Sequence, residues 1–275
     1  INKVPLICSV GTQLQSLNPT RNLILNKLDR LICGLFVFPG CSKIIAWDTQ
    51  IRKYLEDIHG RKILRKVEIV NYGVNGDVDQ LLSHSHDYNQ DNVIIGVGAI
   101  SEQRSFVPLI KAFSKLIKKY PELRLRLIGH IYYDEALKLV KSLGLEESVE
   151  FMGEIPHEKV IEQVKKAAVF YSSLTAKYVG LGTASIEAML LAVPTVANTP
   201  LDLLGKPSLE DRLHLMKCNS TDPSQISKIL EALIIDINLR KRVGKGGRAF
   251  VQTHLNWELV GFQMVKEFQS TIDKY

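Results

Sequence analysis

Gly180-Leu181-Gly182-Thr183-Ala184-Ser185-Ile186-Glu187-Ala188-Met189 leaves an apolar run, passes through two glycines and opens a segment of helical period. Glycines let a backbone approach a ligand with no Cβ in the way. A helix N-terminus adds unpaired N–H groups and a partial positive charge, which together suit a diphosphate. Thr183 and Glu187 are four residues apart and share one helix face. A carboxylate one turn inside a helix cannot hold phosphate, but it accepts hydrogen bonds from a ribose diol lying beside it. The ordinary alternative, from this stretch alone, is a tight turn followed by a surface glutamate.

Around this stretch, apolar runs alternate with helical segments from Asn92 onward. The runs are Val93 to Gly98, Leu123 to Gly129, Val149 to Gly153, Val169 to Ser173, Pro194 to Asn198 and, more weakly, Leu213 to Cys218. Six such strands predict an α/β domain, a Rossmann-like doubly wound parallel sheet with helices on both faces. Phe106, Leu109, Ile110, Phe113, Leu116, Ile117 and Tyr120 recur at helical steps, with Lys111, Lys115, Lys118 and Lys119 on the other side. Ser105 is the expected cap of that helix and Pro108 falls in its first turn. Further helices are expected over Asp134 to Leu143 with Gly144 at its end, after Pro156, after Gly182 and after Asp222-Pro223, with two more from Asn238 to Tyr275 joined near Asn256.

In such a sheet, ligands sit outside the carboxyl ends of the strands. Gly96-Val97-Gly98-Ala99-Ile100-Ser101-Glu102-Gln103-Arg104 occupies that end of the first strand, so it and the Gly180 loop face one crevice. Arg104 is placed to clamp a phosphate oxygen; a solvated residue at the helix entry is the other reading. As a dinucleotide fingerprint the loop fails, because the third glycine is absent.

Residues 1–91 have a different pattern. Pro5 to Val10, Ser42 to Trp47 and Val67 to Val70 predict strands, and Arg21 to Phe38 and Thr49 to Ile58 predict helices. Three strands and two helices are too few for a complete doubly wound domain, and the first residue is Ile1. The expectation is therefore a partial second Rossmann-like domain over residues 1–76, a linker over 77–91, the main domain over 92–255, and a helix over 256–275 that returns to the first. Arg21, Lys27 and Arg30 beside Leu23, Ile24, Leu28, Leu31, Ile32, Leu35 and Phe36 allow an interfacial helix as well as one buried in the first domain.

Composition narrows the class. With 45% hydrophobic and 23% charged residues the chain has a globular make-up, not a disordered or multi-span one. The most apolar run, Leu31 to Phe38, is less than half the roughly 20 residues that a spanning helix needs. The formal charge of +6 attracts anions without choosing among phosphates, nucleic acid and membrane. Nucleic acid is not expected, because basic and aromatic residues are not interleaved for base stacking. Cys8, Cys33, Cys41 and Cys218 have no ligand spacing and suggest reduced thiols in a cytoplasmic protein.

From Asn92 to about Lys274 the chain resembles the C-terminal donor domain of the retaining nucleotide-sugar glycosyltransferases of family 4, which have the GT-B architecture. Gly98, Ser101 and Arg104 stand where that family has the Gly, Ser and Lys of a Gly-Arg-Leu-Ser-x-Glu-Lys-Gly loop. Phe151-Met152-Gly153-Glu154-Ile155-Pro156 resembles the Phe-x-Gly-x-Val-Pro turn that holds the base through backbone groups. Gly180 to Met189 is similar to the second half of the Glu-x(7)-Glu motif, whose last Glu binds the ribose, and Val193-Pro194-Thr195-Val196-Ala197 to the strand after it. Asn256-Trp257-Glu258 and Asn71-Tyr72-Gly73-Val74-Asn75 resemble the Ser-Trp-Glu turn and the Asn-Gly-Val hinge. Two positions depart from the pattern: Val179 replaces the first Glu of the motif and Ala99 the Arg of the loop. Gly11 or Thr12 stands where the family has an acceptor-side His.

The resemblance implies a hexosyltransferase that moves a sugar from a UDP-sugar or GDP-sugar to an acceptor hydroxyl with retention, in polysaccharide, glycolipid or glycoprotein glycan assembly. It implies Arg104 and Glu187 as the key side chains, with Gly98, Ser101, Gly153, Glu154, Ile155, Gly180, Leu181, Gly182 and Thr183 around the donor. The acceptor is a carbohydrate or a lipid-linked one, contact with the cytoplasmic face of a membrane is open, and neither a metal nor a cofactor is expected. A non-catalytic nucleotide-sugar-binding relative and a nucleotide-sugar epimerase of the same architecture are the alternatives. Asp77 and Asp79, His84, His86 and Asp87 as metal ligands, and Gly244 to Arg248 as a phosphate cradle, are weaker readings, as is His130 at the cleft.

Overall fold

The computed structural model describes residues 5–11, 19–74, 85–89, 92–102, 104–174, 178, 180–219 and 221–274. Near the N-terminus, Ile7–Val10 (β1), Lys43–Ala46 (β2) and Val67–Ile69 (β3) pair in parallel in that order. Between the first two strands lies Pro19–Ile32 (α1), which runs on as a π-helical turn, Cys33–Val37. The single helix expected over Arg21 to Phe38 is thus widened in its last turns. Gly34 lies there against His59, where a Cβ would stand 3.0 Å from the ring Nδ1. Thr49–His59 (α2) follows β2, and the Asp48 side chain caps it, accepting from the Ile51 N–H at 2.8 Å.

The larger sheet is built from Val93–Val97 (β4), Arg124–Ile128 (β5), Val149–Gly153 (β6), Val169–Ser172 (β7), Thr195–Ala197 (β8) and Met216–Lys217 (β9). All its pairings are parallel and the order is β6-β5-β4-β7-β8-β9. A parallel sheet covered on both faces needs strands that are apolar on both sides. β4 shows this: Ile94 belongs to the core on one face and Ile95 to the core on the other.

One face is covered by Val107–Leu116 (α3), Glu135–Ser142 (α4) and Pro223–Ile235 (α7, counting the two helices that intervene). The other carries His157–Lys165 (α5), Thr183–Leu190 (α6) and Ile237–His254 (α8). Helix α3 begins one residue later than its expected cap implies: Phe106 holds the cap position, while Ser105 Oγ accepts from the Val107 N–H at 3.3 Å. Gly144, with φ of +63°, ends the turn after α4.

The last helix, Trp257–Ile272 (α9), leaves this sheet and packs on the small one. Asn256 caps it through the Leu259 N–H at 2.8 Å, Trp257 lies over Gly73, and Val260 and Met264 join Ile45, Val70 and Ile7. Lys43 pairs with Glu267 and donates to Ser270 at 3.0 Å. Gly244, Gly246 and Gly247 fall inside α8. A Cβ at Gly244 would stand 2.2 Å from the Ala192 carbonyl oxygen, and one at Gly246 2.2 Å from that of Leu213. These glycines let a helix lie directly on backbone, so Gly244 to Arg248 is a packing device and not a phosphate cradle.

Candidate active site

The order of the large sheet reverses between β4 and β7, and the connections leaving β4 and β7 diverge there, which opens a crevice at the carboxyl ends of the strands. A cleft of about 480 Å³ occupies it, lined by Gly98 and Arg104 from the first loop, His157 from α5, Ser172 at the end of β7 with Ser173 after it, and Leu181 to Ser185 with Glu187 from the Gly180 stretch.

Gly98 has φ of +137°, and the Arg104 guanidinium lies over it: a Cβ there would be 2.9 Å from a guanidinium nitrogen. Among the described residues lining the cleft, Arg104 is the only arginine or lysine. Gly182, with φ of +77°, turns the chain into α6 and stands at its cap position with no side-chain cap. Its own N–H faces the Tyr72 hydroxyl. Behind it, the N–H groups of Thr183, Ala184 and Ser185 have no acceptor within the helix, since the first intrahelical bond runs from Ile186 to the Gly182 carbonyl. Ser185 Oγ donates to Ser172 Oγ at 2.9 Å, which ties the first turn of α6 to β7.

Glu187 is only 8% exposed, with its carboxylate 3.0 Å from His157 Nε2. Burial pushes the Glu187 carboxyl above its ordinary 4.5, and the hydrogen bond and charge of His157 pull it back. His157 was not anticipated as a functional residue. A single His at a helix start carries no pattern by itself; its place directly after the Phe151 to Pro156 turn is the only signal.

The remaining expected residues are more scattered. Ser101 is buried, with its carbonyl accepting from the Arg104 N–H at 3.1 Å, and it does not line the cleft. Gly153, with φ of +66°, carries the turn after β6, and its carbonyl accepts from Gly129. Ile155 packs on the core beside α5, and the Glu154 side chain is exposed, 3.8 Å from His130 Nδ1. Neither Glu154 nor His130 lines the cleft. Leu181 is fully buried, and Gly180 meets the first domain, with Asp48 Oδ2 2.4 Å from where its Cβ would be. Val179, Thr12, Asp77, Asp79 and His84 lie outside the described residues. His86 is buried edge-on to Tyr88, 4.6 Å between ring centres. Among the described residues no three His, Cys, Asp or Glu are grouped to hold a metal.

A larger hollow of about 620 Å³ lies between α1 and the 3-10 turn Arg61–Lys66. Its walls are Leu31, Leu35, Phe38 and Ile63 with Lys27, Arg30 and Lys62. It is remote from the strand ends that converge at the crevice, so size alone does not make it the site.

A two-sheet α/β molecule with a glycine-led helix terminus and a buried carboxylate at the switch point has the layout of folds that bind nucleotides across a crevice. Residues 77–250 match the group 1 glycosyl transferases, and the chain belongs to that family. It is 26% identical over 167 residues, 59% of this chain and 43% of the other, to the GDP-mannose-dependent monoacylated alpha-(1-6)-phosphatidylinositol monomannoside mannosyltransferase of Corynebacterium glutamicum. It is 28% identical to the mannosylfructose-phosphate synthase of Agrobacterium fabrum over 197 residues, 65% of this chain and 42% of that one. The chain thus spans less than half the length of these two relatives. Its fold is GT-B. It superposes on HepE of Anabaena, solved with UDP and glucose, with a TM-score of 0.76 and 16% identity, covering 97% of this chain and 72% of that one. For the sucrose-phosphate synthase of Thermosynechococcus elongatus the values are 0.73 and 18%, over 98% and 68%.

Proposed function

We propose that the cleft binds a nucleoside-diphosphate sugar and that the protein transfers the sugar to an acceptor hydroxyl with retention, as a hexosyltransferase of polysaccharide, glycolipid or glycoprotein glycan assembly. The observation that carries this reading is the convergence of Arg104, the start of α6 and the His157–Glu187 pair on one crevice. Glu187 accepts from the ribose hydroxyls. Thr183 and Ala184 N–H groups and the Arg104 guanidinium meet the charge that grows on the diphosphate as the glycosidic bond breaks, where fixed dipoles act most strongly. Gly153 to Ile155 offer backbone groups to the base.

In this scheme the acceptor oxygen attacks on the face from which the diphosphate departs. The bond from the anomeric carbon to the phosphate oxygen breaks as the bond to the acceptor oxygen forms, and the departing phosphate oxygen takes the acceptor proton. Neither a protein nucleophile nor a metal is required by this balance. The relatives named above differ in nucleotide, GDP-mannose for one and UDP for another, so both donors belong in the test. Incubation with radiolabelled UDP- and GDP-sugars, followed by separation of product glycan, donor and free sugar, tests the assignment. Binding without turnover would make the protein a nucleotide-sugar-binding relative, and inversion within the sugar nucleotide would make it an epimerase.

The proposal extends to the acceptor side. Leu31, Leu35 and Phe36 are exposed beside Lys27, Arg30 and Lys62, the make-up of a surface that rests on an anionic leaflet, where a lipid-linked acceptor would be presented. No helix of the described residues is long and apolar enough to cross a membrane. Flotation with liposomes containing anionic lipid is expected to carry the protein upward, with loss on adding salt. Flotation that ignores lipid charge would remove this part of the reading.

A further inference from the structure

The strand ends of the small sheet carry an aromatic cluster that the nucleotide cleft does not use. Trp47 follows β2, Gly11 follows β1, and the two lie face to face. A Cβ on Gly11 would stand 2.5 Å from Trp47 Cδ2 and 2.6 Å from Cε2 and Cε3, so the glycine backs onto one face of the indole. The ring is also pinned at its edge, where Nε1 donates to Ser9 Oγ at 3.0 Å, while Asn71 Nδ2 holds the main chain by donating to the Trp47 carbonyl at 3.0 Å. Held on one face and one edge, the residue still keeps 39% of its surface exposed.

Its neighbour ties it to the donor site. The Tyr72 ring centre lies 5.6 Å from that of Trp47, tilted by 43°, and the Tyr72 hydroxyl faces the backbone N–H of Gly182. One aromatic ring therefore separates the exposed indole from the helix terminus that faces the diphosphate. The next two residues complete the seam, since Asp48 meets Gly180 and the Thr49 N–H donates to the Leu203 carbonyl at 2.8 Å.

We propose that Trp47 is the floor of a carbohydrate acceptor subsite, with Ser9 and Asn71 at its rim and Tyr72 as the spacer to the donor loop. The proposal rests on the glycosyl-transfer reading above and adds to it the class of acceptor: the unit that receives the sugar is itself a pyranoside. A pyranose has C–H groups on a flat face and hydroxyls around its edge. It matches a flat polarizable indole bordered by a hydroxyl and an amide. A lipid chain requires a continuous apolar wall, which the α1 hollow has and this cluster lacks. Stacking also fixes the plane of the ring, and that orients its hydroxyl toward the donor, as transfer demands.

The test is saturation-transfer NMR with irradiation of the protein's aromatic protons. The ligands are the methyl glycosides of glucose, galactose, mannose and N-acetylglucosamine, each with UDP or GDP present. Wild type, Trp47→Phe and Trp47→Ala are compared after circular dichroism has shown native spectra. At least one glycoside is expected to show strong transfer to its ring C–H protons, kept in large part by Trp47→Phe and about tenfold weaker in Trp47→Ala. Nucleotide binding, measured by calorimetry on the same samples, is expected to be unchanged. Glycoside binding that Trp47→Ala leaves intact would overturn the proposal, as would no transfer to any glycoside while UDP or GDP binds normally. A loss of nucleotide signal in Trp47→Ala would also overturn it, because the indole would then serve the donor. Failure of both nucleotides to bind wild type would instead bring down the transfer reading on which the subsite rests.

Discussion

Glu187 Oε1 and His157 Nε2 stand 3.0 Å apart, although the two residues enter the cleft from different helices, α6 and α5. The glutamate is 8% exposed and the histidine side chain 54%, so the pair is buried at its anionic end and open at the other. A carboxylate held from the side in this way has one oxygen committed to the imidazole. It cannot rotate away without giving up a charge-assisted bond.

Replacing Glu187 by Ala is expected to weaken nucleotide binding by about 1.5 to 3 kcal/mol, roughly tenfold or more, the usual worth of hydrogen bonds to a charged group. Calorimetry with UDP and GDP on both proteins measures it. Unchanged affinity for whichever nucleotide binds would show that Glu187 does not touch the ribose.

Glu187 also sets a pH dependence of stability. Burial raises its folded carboxyl above the ordinary 4.5 of the unfolded chain, so in that window the folded state holds the proton more firmly. Its contribution is fully present below 4.5 and is lost as pH rises through the folded value. Glu187→Gln cannot titrate there, so its Tm relative to wild type should climb across this window and then level off. A Tm difference that is flat with pH, or that falls, contradicts the assignment.

Arg104→Ala is expected to weaken UDP or GDP selectively and to leave uridine or guanosine nearly as before, because the guanidinium lies over Gly98 in the cleft, where the proposed reading puts the diphosphate. The measured ratio of diphosphate to nucleoside affinity decides it. Equal losses for both would make Arg104 a structural residue of the loop.

Gly246→Ala separates packing from ligand contact in α8. The new Cβ would fall 2.2 Å from the Leu213 carbonyl oxygen, backbone that cannot swing aside, so destabilisation of about 1 to 3 kcal/mol is expected in urea unfolding. Nucleotide affinity of the folded fraction should not change. Full stability with weakened nucleotide binding would restore the phosphate-cradle reading of Gly244 to Arg248.

The large sheet was legible because its strands are buried on both sides: Val93 to Val97 and Val169 to Ser172 are short apolar runs that need no partner to be recognised. The glycine stretch at 180 to 182 and Glu187 were legible for a similar reason, a local pattern with a local meaning. What escaped was made by contacts distant in sequence. His157 gains its role from Glu187, and Tyr72 gains its role from Gly182 in the other half of the chain. The phosphate-cradle look of the α8 glycines, a weaker reading from the start, could not be settled from sequence, which does not reveal that the Ala192 and Leu213 carbonyls lie beneath them. The π turn at Cys33–Val37 differs from an ordinary helix by one residue per hydrogen-bonded loop, which no hydrophobic period records.

The return of α9 to the small sheet has a mechanical side. The described part of the small sheet ends at Val74, the returning helix is capped at Asn256, and the Val74 N–H donates to the Leu255 carbonyl at 3.0 Å, so these two points lie side by side. Bodies joined at such a knuckle hinge there more readily than they slide. On the opposite margin Tyr178 reaches Asp57 and Thr49 reaches Leu203, polar contacts that act as a clasp. If the two sheets open relative to one another, the travel expected of such a hinge is greatest at Tyr178 and Asp57 and least beside Trp257.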